Sequence, residues 1–125
     1  YTTVFDIDNV RALAVLITRA DLLLTLDTGA LHIGAATHTP IVSIFGPTTP
    51  SKYGPYRDNI TYVMAADHPP CWPCDHNATC NGNNICMHDI KPQGVLEGIY
   101  KAIENDSECN QHRFTKSIQA NCKKN

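Results

Sequence analysis

Two short apolar runs with a glycine-bearing corner between them constrain this chain more than any other feature. Residues 22–26 read LLLTL and residues 41–45 read IVSIF, and each has the length and composition of a strand. The β-branched second run reads as buried on both faces, and the first is expected to be buried as well. Between them residues 30–36, ALHIGAA, read as a short helix of small residues, and Thr37, His38, Thr39 and Pro40 turn the chain back. Strand, helix and strand so close in sequence leave room for a compact parallel βαβ unit with a right-handed crossover. The turns that follow the two strands therefore share one edge of the sheet.

The first of those turns is Asp27-Thr28-Gly29. In open α/β sheets the carboxyl edge of the strands is where ligands bind. Glycine admits close backbone approach, Thr28 is placed to cap the helix, and free N–H groups at a helix start suit a phosphate. A carboxylate beside an anion site is best explained as an acceptor for ligand hydroxyls, such as those of a sugar, or for nearby backbone. His32 lies four residues beyond Thr28, on the same helical face. The plainer alternative is a capping threonine and a satisfied core histidine. The second turn, Gly46-Pro47-Thr48, either brings a hydroxyl to the same ligand or simply reverses the chain.

The remainder fits one α/β domain, which 125 residues are enough to fill. A helix is expected over residues 8–20, capped by Asp8, with Val10, Leu13, Ala14, Leu16 and Ile17 on its buried face. Residues 48–59, rich in Pro, Gly and Tyr, read as a loop, and residues 60–65 as a further short strand. A last helix over 92–104 presents Val95, Leu96, Ile99 and Ile103. From Asn105 a polar tail is expected, so the domain spans residues 1–104 with an insertion at 67–89. With a net charge of -2 and scattered basic residues, no stripe exists to track a nucleic acid. No run approaches a membrane span and no secretory signal is visible. The chain opens at Tyr1 within ordered-looking sequence, without an initiator methionine, and is expected to be part of a longer one. Sequon matches at residues 59–61, 77–79 and 105–107 are too short to be informative.

The insertion carries Cys71, Cys74, Cys80 and Cys86, four soft ligands that suit a structural zinc or iron site, with His76 and His88 as substitutes. Only the first pair has the usual Cys-x2-Cys spacing, so disulfides and free thiols stay open as alternatives. Four cysteine ligands would leave no open position for a substrate, so any metal here is structural. Cys109 and Cys122 suggest no site.

These residues resemble glycosyltransferase family 9, the bacterial heptosyltransferases of lipopolysaccharide assembly. The likeness rests on Asp27-Thr28-Gly29, His32, the pair Ala35-Ala36, Pro40 and the strand ending Phe45-Gly46-Pro47-Thr48, and it covers residues 8–104. The order Cys71-Trp72-Pro73-Cys74, Cys80, Cys86-Met87 before a final helix is similar to many members. The resemblance implies the GT-B plan, two Rossmann-like domains facing a cleft, with this chain as the carboxyl-terminal, donor-binding half. It implies that Asp27 contacts donor sugar hydroxyls, that Thr28 and Gly29 offer N–H groups to the diphosphate, and that His32 lines the pocket. Gly46 and Thr48 would border it, and Ile7 would lie near the nucleobase. Members transfer heptose from an ADP-activated donor with inversion, without a catalytic divalent metal or organic cofactor, to a glycan or lipid-linked acceptor.

By the same resemblance the general base belongs to an amino-terminal domain, so these 125 residues alone are expected to be inactive. The setting would be cytoplasmic, peripheral to the inner membrane, which disfavours disulfides. Two other readings compete: a non-catalytic nucleotide-sugar-fold module that serves assembly, and a metal-braced α/β interaction domain.

Overall fold

The strand that the sequence marks most strongly lies at the centre of the sheet. In the computed structural model, which describes residues 1–75, 77 and 80–115 and side chains as far as residue 106, β2 (Ile41–Ile44) runs between β1 (Leu23–Leu26) and β3 (Ile60–Val63). All pairings are parallel, with Leu23 opposite Ile41 and Ile41 opposite Ile60. The helices are α1 (Val10–Arg19), α2 (Gly29–Ala35), α3 (Pro50–Tyr53), α4 (Ile85–His88) and α5 (Pro92–Thr115). The chain is thus a small α/β domain with a three-stranded parallel sheet and flanking helices. His76, Cys122 and part of the match at 77–79 lie outside the described residues, as does the side chain of Cys109.

Burial on both faces holds for β2, whose Ile41, Val42 and Ser43 are fully buried. On one face Leu31, Ile41 and Phe45 form a core with Leu23 and Tyr62 around them, and Phe45 meets Tyr62 edge to face at 5.4 Å. On the other, Val42, Val63 and Ala102 pack with Val95 and Ile99. The expectation of a buried β1 is corrected. β1 is an edge strand in the described sheet, and its Leu24 and Leu26 are 47% and 49% exposed. The register puts them on the face of Val42 and Ile44, where α5 packs against β2 and β3.

Local chemistry explains the other departures. α1 is capped by Asn9, whose side chain accepts the Ala12 N–H at 2.8 Å, while Asp8 accepts from the Asn9 amide. Its expected apolar face is buried only at Ile17, and Val10 is exposed. The loop after β2 contains α3, and β3 ends at Val63. Of the face expected for α5, Val95 and Ile99 pack against the sheet side, whereas Leu96 and Ile103 are exposed and Gly98 and Ala102 are buried. A Cβ on Gly98 would come within 2.9 Å of Val63, so the missing side chain is what lets the helix lie this close. The helix also runs past the expected start of the tail at Asn105, because residues 99–115 contain neither glycine nor proline to stop it.

Two polar features bear on stability. Arg57 donates to the carbonyls of Gly34 (3.1 Å), Thr37 (2.9 Å) and Thr39 (3.0 Å), satisfying the end of α2, and burial pushes its guanidinium pKa down. Ser43, by contrast, has a buried hydroxyl without a hydrogen-bond partner among the described residues. Ser43→Ala should raise the unfolding free energy in urea by about 0.5–1 kcal/mol, since it removes a desolvated donor that gains nothing from burial.

Candidate functional site

The two turns expected at one sheet edge are joined by a hydrogen bond. Thr48, 3% exposed, donates from its hydroxyl to Oδ2 of Asp27 at 2.6 Å. Asp27 follows the last residue of β1 and Thr48 lies four residues beyond the end of β2, so the parallel register carries both to the same edge. The bond uses the Thr48 hydroxyl within the protein. It holds Asp27 in place at that edge.

Thr28 and Gly29 are exposed beside this pair. Thr28 occupies the N-cap position of α2 in an extended conformation, yet its side chain makes no capping bond. Its hydroxyl lies 3.4 Å from that of Thr25 and 3.5 Å from the Leu26 carbonyl, turned back toward β1. The expectation of a threonine side-chain cap is therefore corrected. A Cβ on Gly29 would meet nothing within 4 Å, so the backbone there faces open space. His32 is exposed on α2, which corrects the alternative of a core histidine. Ile7 is half-buried in the irregular segment before α1.

Gly46 is buried, and a Cβ there would collide with Met87 and stand 3.7 Å from the Cys86 sulfur. The missing side chain is what lets the cysteine-bearing segment approach this closely. That segment grips the same turn: the Trp72 indole donates to the Gly46 carbonyl at 2.8 Å, and the Cys74 and Asp75 N–H groups donate to the Pro47 carbonyl at 3.2 Å each. Lys52 pairs with Asp75, whose hydrogen bond raises the lysine's pKa, and His68 stacks on Trp72 at 3.7 Å. Sequence reasoning missed Trp72 as a support. Its signal was the chain's single tryptophan placed between two cysteines.

Cys71, Cys74, Cys80 and Cys86 are all free thiols. Together with Pro47, Asn84 and Ile85 they line one pocket of about 90 Å³. Backbone N–H groups, that of Asn84 foremost, pull the Cys80 thiol pKa down, whereas burial, reinforced by the neighbouring Cys74, pushes that of Cys86 up. As they stand, no three His, Cys, Asp or Glu side chains among the described residues are arranged to hold a metal ion. His88, an expected substitute ligand, is exposed. Among the described residues, no helix is long and apolar enough to cross a membrane.

The family pattern of glycosyltransferase family 9 (heptosyltransferase) matches residues 8–85, which include both turns and all but one of the four clustered cysteines. The chain belongs to glycosyltransferase family 9. It is 29% identical over 97 residues to lipooligosaccharide heptosyltransferase 2 of Campylobacter jejuni subsp. jejuni serotype O:2, covering 78% of this chain and 30% of that protein. The counterpart from serotype O:6 is 32% identical over 93 residues, 74% of this chain and 29% of that protein. Lipopolysaccharide heptosyltransferase 2 of Salmonella typhimurium is 26% identical over 94 residues, 74% of this chain and 26% of that protein. The matches thus span under a third of each of these family members. No solved structure matches the chain.

Proposed function

We propose that this chain is the donor-binding part of an inverting glycosyltransferase of the GT-B plan. The transferred sugar is heptose, the donor an ADP-activated sugar and the acceptor a lipopolysaccharide-core glycan. The observation that carries the reading is the Thr48–Asp27 bond of 2.6 Å, which aims a carboxylate beside the open backbone of Thr28 and Gly29. A carboxylate suits the sugar hydroxyls, and backbone N–H groups suit the diphosphate. His32, exposed one turn further on, borders the same space. Departure of a nucleoside diphosphate builds negative charge on its oxygens, and N–H donors fixed before the reaction favour that charged state over the ground state. The general base belongs to the facing amino-terminal domain, so donor binding and acceptor activation are divided between two halves. The reaction takes place on the cytoplasmic side of the inner membrane, where the acceptor is assembled.

Calorimetric titration with ADP and with an ADP-sugar tests the reading. Saturable binding of both is expected, with the sugar nucleotide the tighter ligand because only it offers hydroxyls to Asp27. A folded sample that also contains the facing amino-terminal domain and binds neither is a non-catalytic module, and the donor reading fails. Thr48→Val keeps the shape of the buried side chain but removes its donated bond. Affinity for the ADP-sugar should fall about tenfold, the worth of one hydrogen bond to a charged group, while affinity for ADP falls less.

A further inference from the structure

We propose that Cys71, Cys74, Cys80 and Cys86 form a tetrathiolate site for one soft divalent ion, zinc or ferrous iron, that fastens the segment 67–89 onto the turn at Gly46 and Pro47. Four of the seven residues around the pocket are these cysteines, and the other three, Pro47, Asn84 and Ile85, bring no charged side chain. Such a donor set fits a soft cation and no other common ligand.

The four thiols come from separate local structures that converge without being paired. Cys71 and Cys74 flank the Trp72-Pro73 turn, Cys80 opens a turn whose Asn81, Gly82 and Asn84 have positive φ, and Cys86 sits in α4.

Beyond the hydrogen bonds of Trp72, Cys74 and Asp75 and the Lys52–Asp75 pair, the segment has little packing to hold it. Apart from Cys86, none of its described residues is buried, so apolar burial contributes little to ordering it. The sulfurs stand around the pocket rather than in a closed set, so binding draws them inward and each ligating thiol releases its proton. The ion is structural. Four thiolates complete a tetrahedron, and the segment they tie is the one that holds the Gly46 and Pro47 carbonyls.

Elemental analysis of protein purified under reducing conditions should find about one zinc or iron per chain. After removal by a chelator, added cobalt(II) should develop thiolate-to-cobalt charge-transfer absorption, a signature that carboxylate or histidine sites lack. Cys80→Ser and Cys86→Ser should each lower metal content about tenfold or more, and Cys109→Ser should leave it unchanged. If the serine variants fail to fold, the cobalt spectrum of the unaltered protein decides the matter. Folded, metal-free protein without that absorption overturns the proposal. So does peptide mapping of rapidly alkylated lysate that finds these cysteines joined in disulfides.

Discussion

Asp27→Ala should weaken binding of an ADP-sugar by about a hundredfold or more and lower the unfolding midpoint by a few degrees. A carboxylate that accepts two ligand hydroxyls contributes about 1.5–3 kcal/mol per bond, and each 1.4 kcal/mol is about tenfold in affinity. Thr48, its side-chain partner among the described residues, would then be left with a buried, unpaired hydroxyl, which Asp27→Asn spares. Gly29→Val forms the complementary test. No atom lies within 4 Å of a Cβ at residue 29, so a side chain there starts in open space and extends into the region in which the diphosphate is placed. Binding of ADP and of the ADP-sugar should fall together in this variant, whereas Asp27→Ala should spare ADP. Calorimetry on both variants, with circular dichroism melts as the control for folding, separates the two contributions. Unchanged affinity in the pair would remove this corner from the donor site.

Much of this corner was legible because it depends on local pattern. A strand that stops at Asp27-Thr28-Gly29 and a second that stops at Gly46-Pro47-Thr48 place both turns on one edge once the pairing is parallel, and no tertiary knowledge is required. What the sequence did not disclose is which turn serves the other. Hydroxyls and glycines at such an edge suit ligand contact and chain reversal equally, so pattern alone leaves the parts of Thr48 and Gly46 open. The direction of the Thr48 hydroxyl and the position of Met87 over Gly46 depend on contacts between residues more than twenty apart in sequence. The same limit applies to part of α5: Val95 and Ile99 pack as periodicity predicts, but Leu96 and Ile103 are exposed while Gly98 and Ala102 are buried because small residues allow the closest approach. For β1 the composition was that of a buried strand, and edge position is a property of the sheet rather than of the strand.

Phe45→Ala should cost about 3–5 kcal/mol of stability. Phe45 is 1% exposed, sits in the core between the sheet and α2, and meets Tyr62 edge to face. Its backbone N–H donates to the Val63 carbonyl at 2.9 Å, extending the β2–β3 ladder one residue beyond β2. Truncation leaves a cavity under that extension, and small domains have only about 5–15 kcal/mol in total. Phe45→Leu, which refills most of the volume, should cost less than about 2 kcal/mol. Urea unfolding measures both, and a loss under 1 kcal/mol in Phe45→Ala would show that the ring is not a packing anchor. The position also links core to site. The next three residues are Gly46, Pro47 and Thr48, so Phe45 is the last fixed point before the turn that holds Asp27. At a urea concentration where Phe45→Ala is still folded, its ADP-sugar affinity should already be lower than that of Phe45→Leu. The Thr48–Asp27 bond depends on a turn whose near end is fixed by this ring and whose carbonyls are held by Trp72, Cys74 and Asp75.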